Sequence, residues 1–258
     1  VIIVKDSVRA MAVLGDYFYN HPTQKLTLIG ITGTNGKTTI SHLIEKIVRD
    51  TKKKTGIIGT MYTKIDDEIL ETKNTTPDSV TLQKTFHRMV ENDIDVAVME
   101  VSSHALELGR VHGCDYDIAI FSNLTQDHLD FHKTMENYKF AKSLLFSQLG
   151  NKFDEKKRKF AIINQDDEAS ADFIKYTAAH VLTYGIDHNA DIMAKNIVVT
   201  SKGTTFTLHA QGIMKEVQLQ LVGKFSVYNV LAAVSAGVCL GLDLDHIIAS
   251  LQEVKGVS

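Results

Sequence analysis

The chain has 258 residues, 44% of them hydrophobic and 23% charged, a composition that excludes extended disorder and suits one large α/β domain or two small ones. A net charge of −3 excludes the basic footprint of a nucleic-acid or anionic-membrane partner, and no apolar run approaches the roughly 18 residues that span a bilayer. Two distant cysteines, Cys114 and Cys239, exclude a disulfide framework or a cysteine zinc site.

In chain order, Val1 to Val4 reads as a short strand, and Asp6-Ser7 caps a helix to about Tyr19 with apolar Val8, Met11, Ala12 and Leu14. Pro22 ends that region. Lys25 to Thr32 is a buried strand, followed by a glycine loop and a helix from about Lys37 to Arg49. Thr55–Gly59 is a strand, Ser79–Asn92 a helix, and Asp95–Val101 and Asp117–Ser122 are strands of the buried, parallel kind. Tyr138–Leu149 is helical. Lys159–Asn164 and Val181–Tyr184 are strands around a helix near Ala169–Ala178. Asp191–Val199, Thr204–Ala210 and Glu216–Val222 alternate apolar and polar, with Gly203 and Gly212 at turns, which predicts an antiparallel meander with one wet face. Val227–Leu240 and Leu244–Val254 are helix, turn, helix. The sum is an α/β fold: a P-loop-type parallel sheet wrapped by helices, with a small antiparallel sheet appended. The basic runs Lys52–Lys54 and Lys156–Lys159 read as solvated loop charges. The chain opens on Val1 rather than Met and closes at Lys255–Ser258 just after a helical pattern, so it reads as a fragment. No secretory pattern is visible, and a cytoplasmic setting is the expectation.

Gly33-Thr34-Asn35-Gly36-Lys37-Thr38-Thr39 lies between a predicted strand and a predicted helix, the context a phosphate loop needs. Glycines let backbone amides converge on an anion, and the helix N-terminus adds partial positive charge. Lys37 would bridge terminal phosphates and Thr38 would hold Mg²⁺. The strict G-x-x-x-x-G-K-[ST] spacing fails, because Ile31 stands where the first glycine would be. Glu100 ends the strand Val96–Met99, where a carboxylate beside a phosphate loop is placed to bind Mg²⁺. His128 and His132 are four apart within Asn123–His132. No H-E-x-x-H glutamate separates them, so a hard-metal or phosphate loop is expected rather than zinc. In Asn74–Asp78, Thr76 would cap a helix with Pro77 at its first position, or present hydroxyls to a ligand. Lys142, opposed to Leu144 and Leu145, reads as a surface lysine.

Together these segments resemble the Mur ligase family of ATP-dependent amide-forming enzymes. The likeness runs through Thr32–Thr39, Asn74–Asp78, Met99–Leu106, Asn123–His132, Met135–Phe146 and Gly223–Ala233. It is nearest to the branch that adds the third amino acid of the peptidoglycan stem. Folylpolyglutamate synthetase shares the loop but resembles the other segments less, and a nucleotide-binding module inactive in isolation is a further alternative. The resemblance implies that residues 1–24 end an N-terminal UDP-binding domain, that 25–258 form the central ATPase, and that a C-terminal amino-acid-binding domain is absent. It implies that Gly33, Thr34, Asn35, Gly36, Lys37, Thr38 and Thr39 bind the triphosphate and that Asn229 reads adenine. Thr38 and Glu100 would hold one Mg²⁺, His128 a second. Lys142 matches a carbamylated lysine that would join the metal ligands, against its surface reading. Asn74, Thr75, Thr76, Ser102 and Arg110 would grip the UDP-muramoyl dipeptide; Leu108 departs from a substrate-touching glutamine of some relatives. The implied chemistry is an acyl phosphate attacked by an amine, with L-lysine and meso-diaminopimelate both open as the amino acid added.

Overall fold

The computed structural model describes residues 3–151 and 158–255. The chain begins with α1 (Ser7–Phe18), a 3-10 turn (Pro22–Gln24), β1 (Thr27–Thr32) and α2 (Lys37–Arg49). Next come β2 (Thr55–Ile58), the hairpin β3 (Thr63–Ile65) and β4 (Glu68–Leu70), and α3 (Ser79–Glu91). The middle holds β5 (Val96–Glu100), α4 (Ser103–Glu107), β6 (Ile118–Phe121), α5 (Leu129–His132), α6 (Met135–Ser147) and β7 (Phe160–Asn164). Then follow α7 (Ser170–Tyr176), β8 (His180–Gly185), β9 (Ile192–Thr200), β10 (Gly203–Ala210), β11 (Ile213–Leu219), α8 (Lys224–Cys239) and α9 (Leu244–Gln252).

Among the described residues the strands make one sheet of eleven, in the order β11-β10-β9-β8-β7-β6-β1-β5-β2-β3-β4. From β8 to β2 every neighbouring pair is parallel. The period-two geometry of a strand sends alternate side chains to opposite faces. Ile29 and Ile31 of β1, Val96 and Val98 of β5, and Ile118 and Ile120 of β6 join one core with α2, α8 and α9. Leu28, Ala97, Met99, Ala119 and Phe121 join the other core, with α3, α6 and α7. Burial on both faces is why these strands are apolar throughout. In β10, Phe206, Leu208 and Ala210 pack only toward the first core, which is why that strand alternates. The meander is not a separate sheet. β9 pairs in parallel with β8 through Tyr184↔Ile192 and Gly185↔Met193, so the antiparallel strands extend the parallel ones.

Several boundaries differ from the sequence reading. Of the strand expected at Val1–Val4, Val1 and Ile2 lie outside the described residues, while Ile3 and Val4 pair with no strand and Ile3 is 94% exposed. β11 starts at Ile213 rather than Glu216, because Gln211 and Gly212 both take positive φ (52° and 76°) and close a two-residue hairpin. Thr134, which accepts from the Asn137 amide at 3.1 Å, starts α6 at Met135. Thr76-Pro77 does not open α3; Asp78 caps it, accepting from Thr81 N at 3.0 Å. Lys156 and Lys157 lie outside the described residues, and Lys159 is no solvated charge: its Nζ donates to Asp115 at 2.8 Å and Asp117 at 3.0 Å.

Candidate active site

The strand order reverses at β1, which lies between β5 and β6, so the loops leaving β1, β5 and β6 converge at one edge of the sheet. That is where ligands bind in open α/β sheets. Gly33 (φ +146°) and Gly36 (φ +89°) take conformations that L side chains avoid. Each also meets a close neighbour. A Cβ on Gly33 would lie 1.9 Å from Ser122 Oγ, and one on Gly36 would lie 2.4 Å from Asn229 Oδ1. The segment after β6 clamps the loop: Thr34 N donates to Asn123 O at 2.8 Å, Asn35 N to Asn123 Oδ1 at 3.0 Å, and Ser122 Oγ to Asn35 O at 2.6 Å. The amides that open α2 have no intrahelical acceptor, which makes the turn an anion cradle. Gly33→Ala is therefore expected to cost about 2 kcal/mol of stability and to weaken nucleotide binding. Urea unfolding beside titration with a non-hydrolysable ATP analogue checks both; an unchanged midpoint and affinity would remove the cradle argument.

Two lysines converge on this loop. Lys37 Nζ donates to Gly33 O and Thr34 O, both at 2.9 Å. Lys142 Nζ donates to the same Gly33 O at 2.9 Å and sits 4.4 Å above the centre of the Tyr138 ring. Burial lowers the Lys37 pKa, with Glu100 and Asp127 opposing. Burial, then the Lys37 charge, push Lys142 well below an ordinary lysine. Lys142 is 1% exposed, so its surface reading is wrong. The face of α6 opposite Leu144 meets the phosphate loop instead of water, and a single helical stripe cannot reveal a second buried side.

Glu100 is also buried, at 1% exposure. Its Oε1 accepts from Thr38 Oγ1 at 2.9 Å and Thr60 N at 3.1 Å, and its Oε2 from Thr60 Oγ1 at 2.9 Å. Gly59 leaves room for this carboxylate, since a Cβ there would lie 2.4 Å from Oε1. Among the described residues no three His, Cys, Asp or Glu side chains gather as a metal cage. Mg²⁺ does not require one, because it keeps waters and phosphate oxygens beside one or two protein ligands. A hydroxyl and a carboxylate in contact at the mouth of a phosphate cradle fit that ion. His128 (φ +52°) packs edge-on against His104, ring centres 5.2 Å apart. His132 is turned away: its Nε2 lies 2.8 Å from Ser103 Oγ and its Nδ1 2.8 Å from Glu107 Oε2, so the two histidines do not form one site.

Two clefts flank the loop. One, of about 430 Å³, is lined by Lys37, Lys142, His128, Asn74, Thr75, Thr76, Ser102 and Arg110. Thr76 organises its floor: Oγ1 donates to Glu100 O at 2.9 Å and accepts from Ser102 N at 3.0 Å, while Arg110 donates to Thr76 O at 3.1 Å. The other cleft, of about 380 Å³, is lined by Asn35, Gly36, Asn123, Asp166, Tyr228 and Asn229 among others. Every site residue expected from the sequence except Thr38 and Thr39 is thus at one of the clefts or bonded to a residue that is; Thr38 is one step further, bonded to Glu100, whose partner Thr60 lines a cleft, and Thr39 lies within α2. Sequence reasoning missed Thr60, Tyr138 and Asp166. Thr60 alone had a local signal, a Gly-Thr pair just past a predicted strand end.

The profile of the Mur ligase middle domain matches residues 31–237. A UDP-N-acetylmuramoyl-L-alanyl-D-glutamate–2,6-diaminopimelate ligase of Bacillus cereus is 60% identical over 257 residues, covering 100% of this chain and 52% of the relative. The chain spans about half the length of the curated relatives it matches. A solved structure of a ligase of the same name superposes with a TM-score of 0.85 at 32% identity, over 97% of this chain and 52% of the other. A folylpolyglutamate synthase of Mycobacterium tuberculosis has a TM-score of 0.73 at 16% identity, over 97% of this chain and 63% of the other, a likeness of fold alone. With the cradle, the paired lysines and the profile match in agreement, the chain belongs to the Mur ligase family, and the part of that family it contains is the middle domain.

Proposed function

We propose that this chain is the nucleotide-binding and phosphoryl-transfer part of a cytoplasmic ligase that joins meso-diaminopimelate to UDP-N-acetylmuramoyl-L-alanyl-D-glutamate. The observation that carries the reading is that Lys37, the lysine of the phosphate loop, lines one cleft with Lys142, Asn74, Thr75, Thr76, Ser102 and Arg110. ATP would seat its phosphates on Gly33–Thr39 and its base against Asn229. The muramoyl dipeptide would lie along Asn74, Thr75, Thr76 and Ser102, with Arg110 as a cation for its carboxylates. An oxygen of the D-glutamate γ-carboxylate attacks the γ-phosphorus; that P–O bond forms as the bond to the β-phosphate bridge breaks and ADP leaves. The acyl phosphate is then attacked by the amine of the incoming amino acid, which loses a proton, and a tetrahedral intermediate expels inorganic phosphate.

Three anionic groups meet in this step, so charge neutralisation is the main work of the site. Lys37 would leave Gly33 O and Thr34 O for the β- and γ-phosphate oxygens. Thr38 and Glu100 would hold one Mg²⁺, and His128 with Lys142, once carbamylated, a second; the ion would supply charge neutralisation on the phosphates. Lys142 suits conversion to a carbamate. Its buried amine is biased to the neutral form, whose lone pair attacks CO₂ with loss of one proton. The product is a carboxylate, a hard oxygen ligand.

The test is a coupled assay. Full-length protein given MgATP, the UDP-muramoyl dipeptide and meso-diaminopimelate is expected to release one phosphate per amide formed, and chelation of Mg²⁺ to stop it. The 258-residue chain alone is expected to form no amide. Ligation by the isolated chain would overturn its assignment as a part, and turnover with folate and glutamate instead of the sugar peptide would overturn the substrate.

A further inference from the structure

Asp166, two residues past β7, collects hydrogen bonds from two distant segments. Its carboxylate accepts from the amides of Ile186 (2.6 Å), Asp187 (2.9 Å) and His188 (2.7 Å) in the turn after β8. It also accepts from His188 Nδ1 at 2.9 Å and from Tyr228 OH, on α8, at 2.8 Å. The Asp166 side chain is 6% exposed. A Cβ on Gly185 would lie 3.1 Å from both carboxylate oxygens, so the backbone approaches closely there. Burial opposes its ionisation, and the hydrogen bonds from the turn and Tyr228 outweigh burial, lowering the carboxyl to about 2. The group is a fixed anion that the phosphoryl transfer described above does not use.

Its position gives it a task. Tyr228 precedes Asn229 on α8, and Asn229 Oδ1 lies against Gly36 of the phosphate loop, 2.4 Å from where a Cβ there would stand. Asp166, Tyr228, Asn229 and Gly36 all line the second cleft. Tyr228 OH can reach Asp166 only if the second turn of α8 is held at one height over the loop. An aromatic ring, a planar amide and a phosphate cradle along one cleft match a nucleoside triphosphate lying with its base beside α8.

We propose that Asp166 is a positioning residue for the base of the bound nucleotide: by fixing Tyr228 and the 186–188 turn, it sets where Asn229 meets that base. The proposal rests on the nucleotide reading above. It separates the cleft into two parts, with the phosphates held by the loop and the base held through Asp166.

The experiment is isothermal titration of the 258-residue chain with two probes in Mg²⁺, adenylyl imidodiphosphate and inorganic tripolyphosphate. Asp166→Asn and Tyr228→Phe are each expected to weaken the nucleotide about tenfold while moving tripolyphosphate less than about twofold. The double variant is expected to be no weaker than Asp166→Asn alone, since both remove one shared bond. Tyr228→Phe keeps the ring and carries the test should Asp166→Asn not fold. Unchanged nucleotide affinity, or parallel loss of both probes, overturns the proposal. A parent chain that binds neither probe instead overturns the nucleotide reading, and is seen before any variant is compared.

Discussion

Lys37→Ala is expected to lower ATP turnover of the full-length ligase proposed above by about a thousandfold, the scale on which a lone charge donor at a developing anion acts. The side chain is already folded over the cradle, on Gly33 O and Thr34 O at 2.9 Å, so its ammonium reaches an anion in the loop without a large rearrangement. Its charge is costly where it stands, because burial lowers its pKa. A phosphate at the cradle reverses that balance, so the stabilisation appears when the nucleotide is bound. Removing the amine leaves Gly33 O its bond from Lys142 and frees Thr34 O, which water at the cleft can satisfy, so the fold is expected to persist. Steady-state kinetics beside thermal unfolding checks this. Turnover within about threefold of the parent would show that the cradle is not where the phosphates lie.

Lys142→Met is expected to act in opposite directions on activity and stability. Methionine fills a similar volume without an amine, so it removes the cost of burying or deprotonating the ammonium while forfeiting one hydrogen bond and one ring contact. Turnover in the full-length enzyme is expected to fall about a hundredfold or more. The isolated chain in CO₂-free buffer is expected to gain about 1 kcal/mol near neutral pH. The sign follows from linkage. The folded pKa of Lys142 lies well below its unfolded value, so the unfolded chain binds more protons between the two, and the parent regains stability as pH rises. The advantage of the variant is therefore full below the folded pKa and vanishes toward the unfolded value of about 10.4. Urea titrations of both chains at about pH 7 and about pH 10 read this difference. A variant less stable at both values would show that Lys142 is a paired structural cation.

A carbamate on Lys142 would have its own signature, the mass of one CO₂ on the peptide that contains it. Its absence from the full-length enzyme under bicarbonate would leave His128 without the partner assigned to it above.

Much of this molecule was legible from one dimension. Apolar β-branched runs separated by amphipathic stretches determined a parallel sheet with helices on both faces, because burial on two sides demands that pattern locally. The alternation in Thr204–Ala210 marked a strand with one wet face for the same reason. The glycines and Lys37 marked the loop proposed above as the cradle, since the conformations and the charge that an anion requires are carried by adjacent residues. What adjacent residues do not carry was decided only when the chain closed. The burial of Lys142 depends on Gly33, 109 positions away, beside the Tyr138 ring one turn back in its own helix. Thr60 and Asp166 reach the candidate site through contacts with Glu100 and Tyr228, 40 and 62 positions distant. Local periodicity reports which face of an element is apolar. It takes the sheet order, with β1 between β5 and β6, to determine which polar groups are shut away from water together, and so which of them bind rather than merely dissolve.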